Sequence, residues 1–177
     1  MNANLHRRCI VTVLFTIVVT AILLSTGIAA PIMRTTRVSQ EMQTLAGIHR
    51  IHFMVMPLPA PIENIGVTAA KVRGHCSKML EHAGFKLVEE GRSEVILRLS
   101  AFYRSNESVP NASGFVWFLT FEQPVRIERL DHSLRIPTWT GADIGIESND
   151  RLDQTMMEGL DRAIDGFLMK WKVASRE

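Results

Sequence analysis

The amino-acid sequence predicts an α+β fold: a two-layer sandwich in which one mainly antiparallel sheet of about four strands carries two helices on one face. Three observations lead there. Apolar and polar residues alternate along residues 48–56, 94–103 and 115–128, the period of half-buried strands. Apolar residues recur at spacings of three and four between the first two of those stretches and again at the C-terminus, the period of amphipathic helices. The resulting order, β-α-β-β-β-α, groups consecutive strands that pair most simply through hairpins.

Each element has its own grounds. In the first strand Ile51, Phe53 and Val55 share a face, and Pro57, Pro59 and Pro61 then end it because proline cannot donate to a ladder. The first helix opens at Thr68, a side chain suited to an N-cap. Its stripe is Val72, Cys76, Met79, Leu80 and Ala83, with Gly84 at the left-handed position beyond and Phe85 free to fold back. The second strand turns Val95, Leu97, Leu99 and Ala101 one way and Arg98 and Ser100 the other. The loop after it contains the triplets Asn106-Glu107-Ser108 and Asn111-Ala112-Ser113, glycosylation sequons by pattern but also common in a solvated Asn/Ser-rich turn.

The third strand places Phe115, Trp117, Leu119 and Phe121 on one face, with Val116, Phe118, Thr120 and Glu122 on the other. The alternation keeps its phase through Pro124. That argues against a bulge at this point and puts Pro124 on an edge or past the end of its neighbour. Residues 131–133 turn the chain, and a short fourth strand follows over 136–139, broken off by Gly141 and Gly145. Ser148, Asn149 and Asp150 offer N-caps to the last helix. Its stripe is Leu152, Met156, Leu160, Ile164, Phe167, Leu168 and Trp171. Asp150 and Asp153 at its start and Lys170 and Lys172 at its end complement the helix dipole.

Residues 1–29 precede this domain as a signal peptide or N-terminal membrane anchor. Arg7 and Arg8 are followed by no charge until Arg34, and residues 10–24 are almost wholly apolar. The small residues Gly27 and Ala29 suit a signal peptidase, yet the uncharged run also reaches the roughly 20 residues that cross a bilayer, so cleavage and retention both fit. In either case Arg7 and Arg8 stay inside and the rest lies outside the cytoplasm. Residues 30–46 are polar enough for a tether, and 47–177 form a single α+β domain.

Charge and motifs exclude several functions. Of 20 Lys and Arg, Arg7 and Arg8 belong to the leader; the other 18 match 18 Asp and Glu, so the exported part is neutral. It lacks the basic stripe that nucleic acid demands. Cys9 precedes the apolar run and cannot be a lipobox cysteine, which leaves Cys76 alone in the domain, without an internal disulfide partner and placed as a small buried residue. There is no phosphate loop, HExxH, paired CxxC or GxSxG. His49 and His52 face opposite sides of a strand, and His75 and His82 stand about 10 Å apart along a helix. Neither pair makes a metal site, and no cofactor is implied. Asp161 and Asp165, with Glu158 beside them, fit a solvated helix face in which Glu158 pairs with Arg162.

Several short stretches carry a family resemblance. They are Gly47-Ile48, His82-Ala83-Gly84-Phe85, the run Gln123-Pro124-Val125-Arg126-Ile127-Glu128-Arg129, Thr138-Trp139-Thr140, Gly145, and Phe167-Leu168. With them the chain resembles a widespread family of exported bacterial proteins of unknown function. More loosely, the element order is similar to small envelope-assembly domains of the curli-secretion and Tol type. The resemblance implies a periplasmic binding module and transfers no catalytic residue.

Two functions follow. Met54, Ile96, Phe102, Val116 and Phe118 lie opposite the helix-bearing face, and apolar residues there mark a surface for a protein partner or for self-association in the envelope, unless the protein's own chain covers them. The membrane is a further partner through residues 10–29 if these are retained. The alternative is a small exported enzyme or ligand-binding protein with a pocket near Trp139, a residue that otherwise serves as a core plug.

Overall fold

A computed structural model of the chain describes residues 39–105 and 108–176. The order is α1 (Gln40–Gln43), β1 (Arg50–Val55), α2 (Ala60–Asn64), α3 (Ala69–His82), β2 (Lys86–Leu87), β3 (Ile96–Ser105), β4 (Ala112–Ile127), β5 (His132–Ser148) and α4 (Leu152–Ala174). The strands form one open five-stranded sheet in the order β2-β1-β3-β4-β5. This is the α+β architecture the periodicity predicts, with one strand more. The sheet is mixed: β1 runs parallel to both β2 and β3, while β3, β4 and β5 are antiparallel neighbours.

The helices cover one face. Ile51, Phe53, Leu97, Leu99, Phe115, Trp117, Leu119 and Phe121 meet Leu152, Met156, Leu160, Ile164 and Phe167 there in one buried cluster. Phe167 is its hub, with ring centroids 5.8 Å from Phe85, 5.7 Å from Phe121 and 5.2 Å from Trp139. The buried indoles find partners on other elements: Trp117 Nε1 donates to the Met156 carbonyl at 2.7 Å, and Trp171 Nε1 to that of Ile48 at 2.8 Å.

Local chemistry sets the helix ends. Thr68 accepts from the Lys71 N–H at 3.3 Å, the expected cap. At the other end Gly84 takes φ +104, and the amides of Gly84 and Phe85 return to the Glu81 and Leu80 carbonyls, both at 3.0 Å. That is a Schellman ending, with Phe85 buried behind it. The last helix differs from expectation. Its N-cap is Arg151, which makes no side-chain cap bond. Ser148 and Asn149 bond elsewhere: the Ser148 hydroxyl donates to Glu147 Oε1 at 3.0 Å, Asn149 Oδ1 accepts from the buried Ser113 hydroxyl at 2.7 Å, and Ser113 is bonded in turn to the Tyr103 hydroxyl at 2.9 Å.

The largest departure is β5, which runs through Gly141 and Gly145 rather than stopping at them. Both glycines face buried rings. A Cβ on Gly141 would stand 2.5 Å from the Trp139 indole, and one on Gly145 would stand 2.5 Å from the Phe115 ring. They are strand residues whose missing side chains make room. Pro124 behaves as the phase implied. Pairing of β4 with β3 ends at Glu122 opposite Ile96, so Pro124 lies past its neighbour's end. The bulge is in β5: Phe121 pairs with Trp139 and Glu122 with Pro137, leaving Thr138 extra, its hydroxyl 3.3 Å from the Phe121 carbonyl. Within the stretch read as a tether, residues 40–43 are helical and Leu45 is fully buried in the core.

Candidate partner-binding surface

The open face of the sheet is built by register. Opposite the helices, β3 presents Arg98, Ser100 and Phe102, β4 presents Glu122, Thr120, Phe118 and Val116, and β5 presents Thr140, Ala142, Ile144 and Ile146. Phe102 pairs with Val116, and Val116 pairs with Ile144, so three strands place apolar side chains side by side. Phe102 is 58% exposed, Ile144 71% and Ile146 74%. They border a hollow of about 430 Å³, together with Val116 and the backbone around Gly114 and Gly145.

The predicted residues divide. Phe102, Val116 and Phe118 belong to this patch; Phe118 is half-buried between the small residues Ser100 and Ala142. Met54 and Ile96 do not. Arg98 and Glu122 stand between, joined by two hydrogen bonds of 2.8 and 3.1 Å. Beyond that ion pair Met54 is half-buried, and Ile96 is only 6% exposed in register with His52 and Glu122. Ile96 is therefore closed to a partner. Sequence reasoning missed Ile144 and Ile146 because it ended the fourth strand before them. Their alternation with Gly145 and Asp143 was the available signal.

Trp139 is 3% exposed, packed on Phe167, with the Lys170 ammonium 5.4 Å from its ring centroid. It fills the core. Its Nε1 has no hydrogen-bond partner among the described residues.

The titratable groups are tied into the scaffold. Burial pushes the Cys76 thiol up to about 12, with the Asp161 carboxylate adding to it, so the thiol is protonated at neutral pH and unreactive. His75 Nε2 meets Asp161 Oδ1 at 2.5 Å, joining α3 to α4. His52 Nδ1 lies 3.0 Å from the Val88 carbonyl. Arg162 reaches Asp143 on β5 through two bonds of 3.0 Å each, in place of the expected pairing with Glu158. Glu158 accepts instead from Gln154 at 2.9 Å. Among the described residues no group of three His, Cys, Asp or Glu side chains is placed to hold a metal ion, and no helix is long and apolar enough to cross a membrane. The leader and Asn106 of the first sequon lie outside the described residues.

No family model matches the chain, and no curated protein matches it. Among solved structures it is similar to a minor lipoprotein from Acinetobacter baumannii, with a TM-score of 0.35 and 13% identity over 73% of this chain and 92% of that one. The resemblance carried by His82-Ala83-Gly84-Phe85 and the run from Gln123 to Arg129 thus has no family match behind it.

Proposed function

We propose that this chain is an exported cell-envelope protein that acts as a binding and assembly module, engaging a protein partner through the open face of its sheet. The observation that carries this is the contiguous run of Phe102, Val116, Ile144 and Ile146 around the hollow, on the face the helices leave uncovered. A patch of that kind costs solubility unless something uses it. The charge pattern of the leader supports export: Arg7 and Arg8, then an uncharged stretch to Arg34. Retained, that stretch holds the domain at the inner membrane; cleaved, it releases the domain to the periplasm.

Site-specific photo-crosslinking in cells tests this. A benzophenone amino acid at Ile146 is expected to give discrete protein adducts in the envelope fraction, while one at the exposed Glu81 on the helical side gives none. Equal labelling at both positions, or none at Ile146, contradicts the proposal.

A further inference from the structure

The last strand, β5, has a neighbour on one side only; among the described residues no strand pairs with its outer edge. We infer that this edge is taken by β5 of a second copy, antiparallel about a two-fold axis at Ile144, so that two five-stranded sheets become one. The inference goes beyond the proposed binding role: the second copy takes the strand edge, and the open faces of the two copies become one continuous surface.

The edge itself calls for a strand. Alternate N–H and C=O groups of an edge strand point outward unpaired, and another strand is what satisfies them in series. Edges that must stay single are guarded by lysine, proline, a bulge or an inward-pointing charge. Residues 139–148 contain no Lys, Arg or Pro. The guards present, Pro137 and the Thr138 bulge, stand just before this stretch. The two charges in this stretch are bonded within the protein: Asp143 to Arg162, and Glu147 to Ser148 and Thr155.

Register follows from faces and charges. A two-fold perpendicular to the sheet keeps each residue's face, and the Thr138 bulge limits regular pairing to residues 139–148. An axis at Asp143 would oppose Asp143 with its own copy. An axis at Gly145 would oppose Asp143 with Glu147. An axis at Ile144 opposes Ile144 with Ile144, Ala142 with Ile146, and Asp143 and Glu147 with Gly145 and Gly141. It pairs residues 140–148 of each copy, the longest register free of like-charge contacts, and it brings the two apolar patches together. The opposite sheet edge, β2, has only two residues, so the isologous pair closes on itself instead of growing into a filament.

Cysteine cross-linking of the full chain in mild detergent, on a Cys9→Ser background, tests the register. Ile144→Cys is expected to oxidise to a disulfide-linked dimer, since residues facing each other across an antiparallel pair fall within the roughly 4.4–6.8 Å between Cα atoms that a disulfide needs. Thr140→Cys is expected to stay reduced, because its two copies are about 27 Å apart at about 3.3 Å per residue. Ile144→Lys, at an exposed site, is expected to fold as wild type and to raise the dimer dissociation constant at least about tenfold. Failure of Ile144→Cys to oxidise, equal oxidation of Thr140→Cys, or wild-type affinity in Ile144→Lys overturns the inference. If Ile144→Cys stays reduced while the benzophenone at Ile146 labels a different protein, self-pairing is overturned and the binding role stands. Absence of any label at Ile146 overturns both.

Discussion

The ring of Phe115 occupies the space that a side chain on Gly145 would need: a Cβ there would lie 2.5 Å from both Cε1 and Cζ of the ring. The same ring meets Gly159 of α4 from the other side, where a Cβ would come within 3.0 Å of Cε2 and 2.6 Å of Asp143 Oδ2. Phe115 is fully buried and cannot swing clear. Gly145→Ala and Gly159→Ala should each destabilise the protein by about 1–3 kcal/mol through overpacking. Because both act on one ring, the double variant should depart from additivity. Urea titration of the four proteins reads this directly.

Phe167 joins α4 to the sheet through Phe85, Phe121 and Trp139. Phe167→Ala is expected to cost about 3–5 kcal/mol, the range for deleting a large buried aromatic side chain. A melting midpoint within error of wild type would mean that α4 is not docked on these rings.

The strongly periodic elements were legible in sequence because burial on one face fixes their phase. The stripe from Leu152 to Trp171 and the alternation from Phe115 to Phe121 both face the core as their spacing requires. β2 was not legible: two residues, Lys86 and Leu87, carry no period, and only the parallel pairing with Arg50 and Ile51 makes them a strand. β5 was misjudged because Gly141 and Gly145 look like breakers when their partners, Trp139 and Phe115, are out of view. The same error hid Ile144 and Ile146. Alternation alone put Met54 and Ile96 in the candidate surface, because it gives a face but not the Arg98–Glu122 pair that separates them from it.

Acid should loosen the junction of β5 with α4. The Glu147 carboxylate is held below its ordinary value of 4.5, first by the Ser148 N–H, then by the hydroxyls of Ser148 and Thr155. Asp150 is held below 3.8, first by the Ser148 side chain. A lowered folded-state value contributes stability that is complete above the unfolded-state value and is lost as pH falls through the folded one. The contribution of these two groups should therefore be constant above about pH 4.5 and decline below it. Glu147→Gln should be less stable than wild type at neutral pH and should approach it in acid. A constant difference down to pH 2 would contradict this.

Export is tested by topology. A reporter fused after Glu177 is expected to be active only outside the cytoplasm if the proposed orientation, with Arg7 and Arg8 inside, holds. Replacing both arginines with glutamate should reduce or reverse that orientation.

The claim that the open face is a partner surface meets its most direct test in Phe102→Asp. Phe102 is 58% exposed, so an aspartate there is hydrated in the free protein and should change stability by no more than about 0.5 kcal/mol. In a complex the same carboxylate would be buried without a partner, which is costly. Thermal melting should show an unchanged midpoint, and adducts to a partner protein from a benzophenone amino acid at Ile146 should fall at least about tenfold. A folded variant that associates as wild type does would contradict the claim.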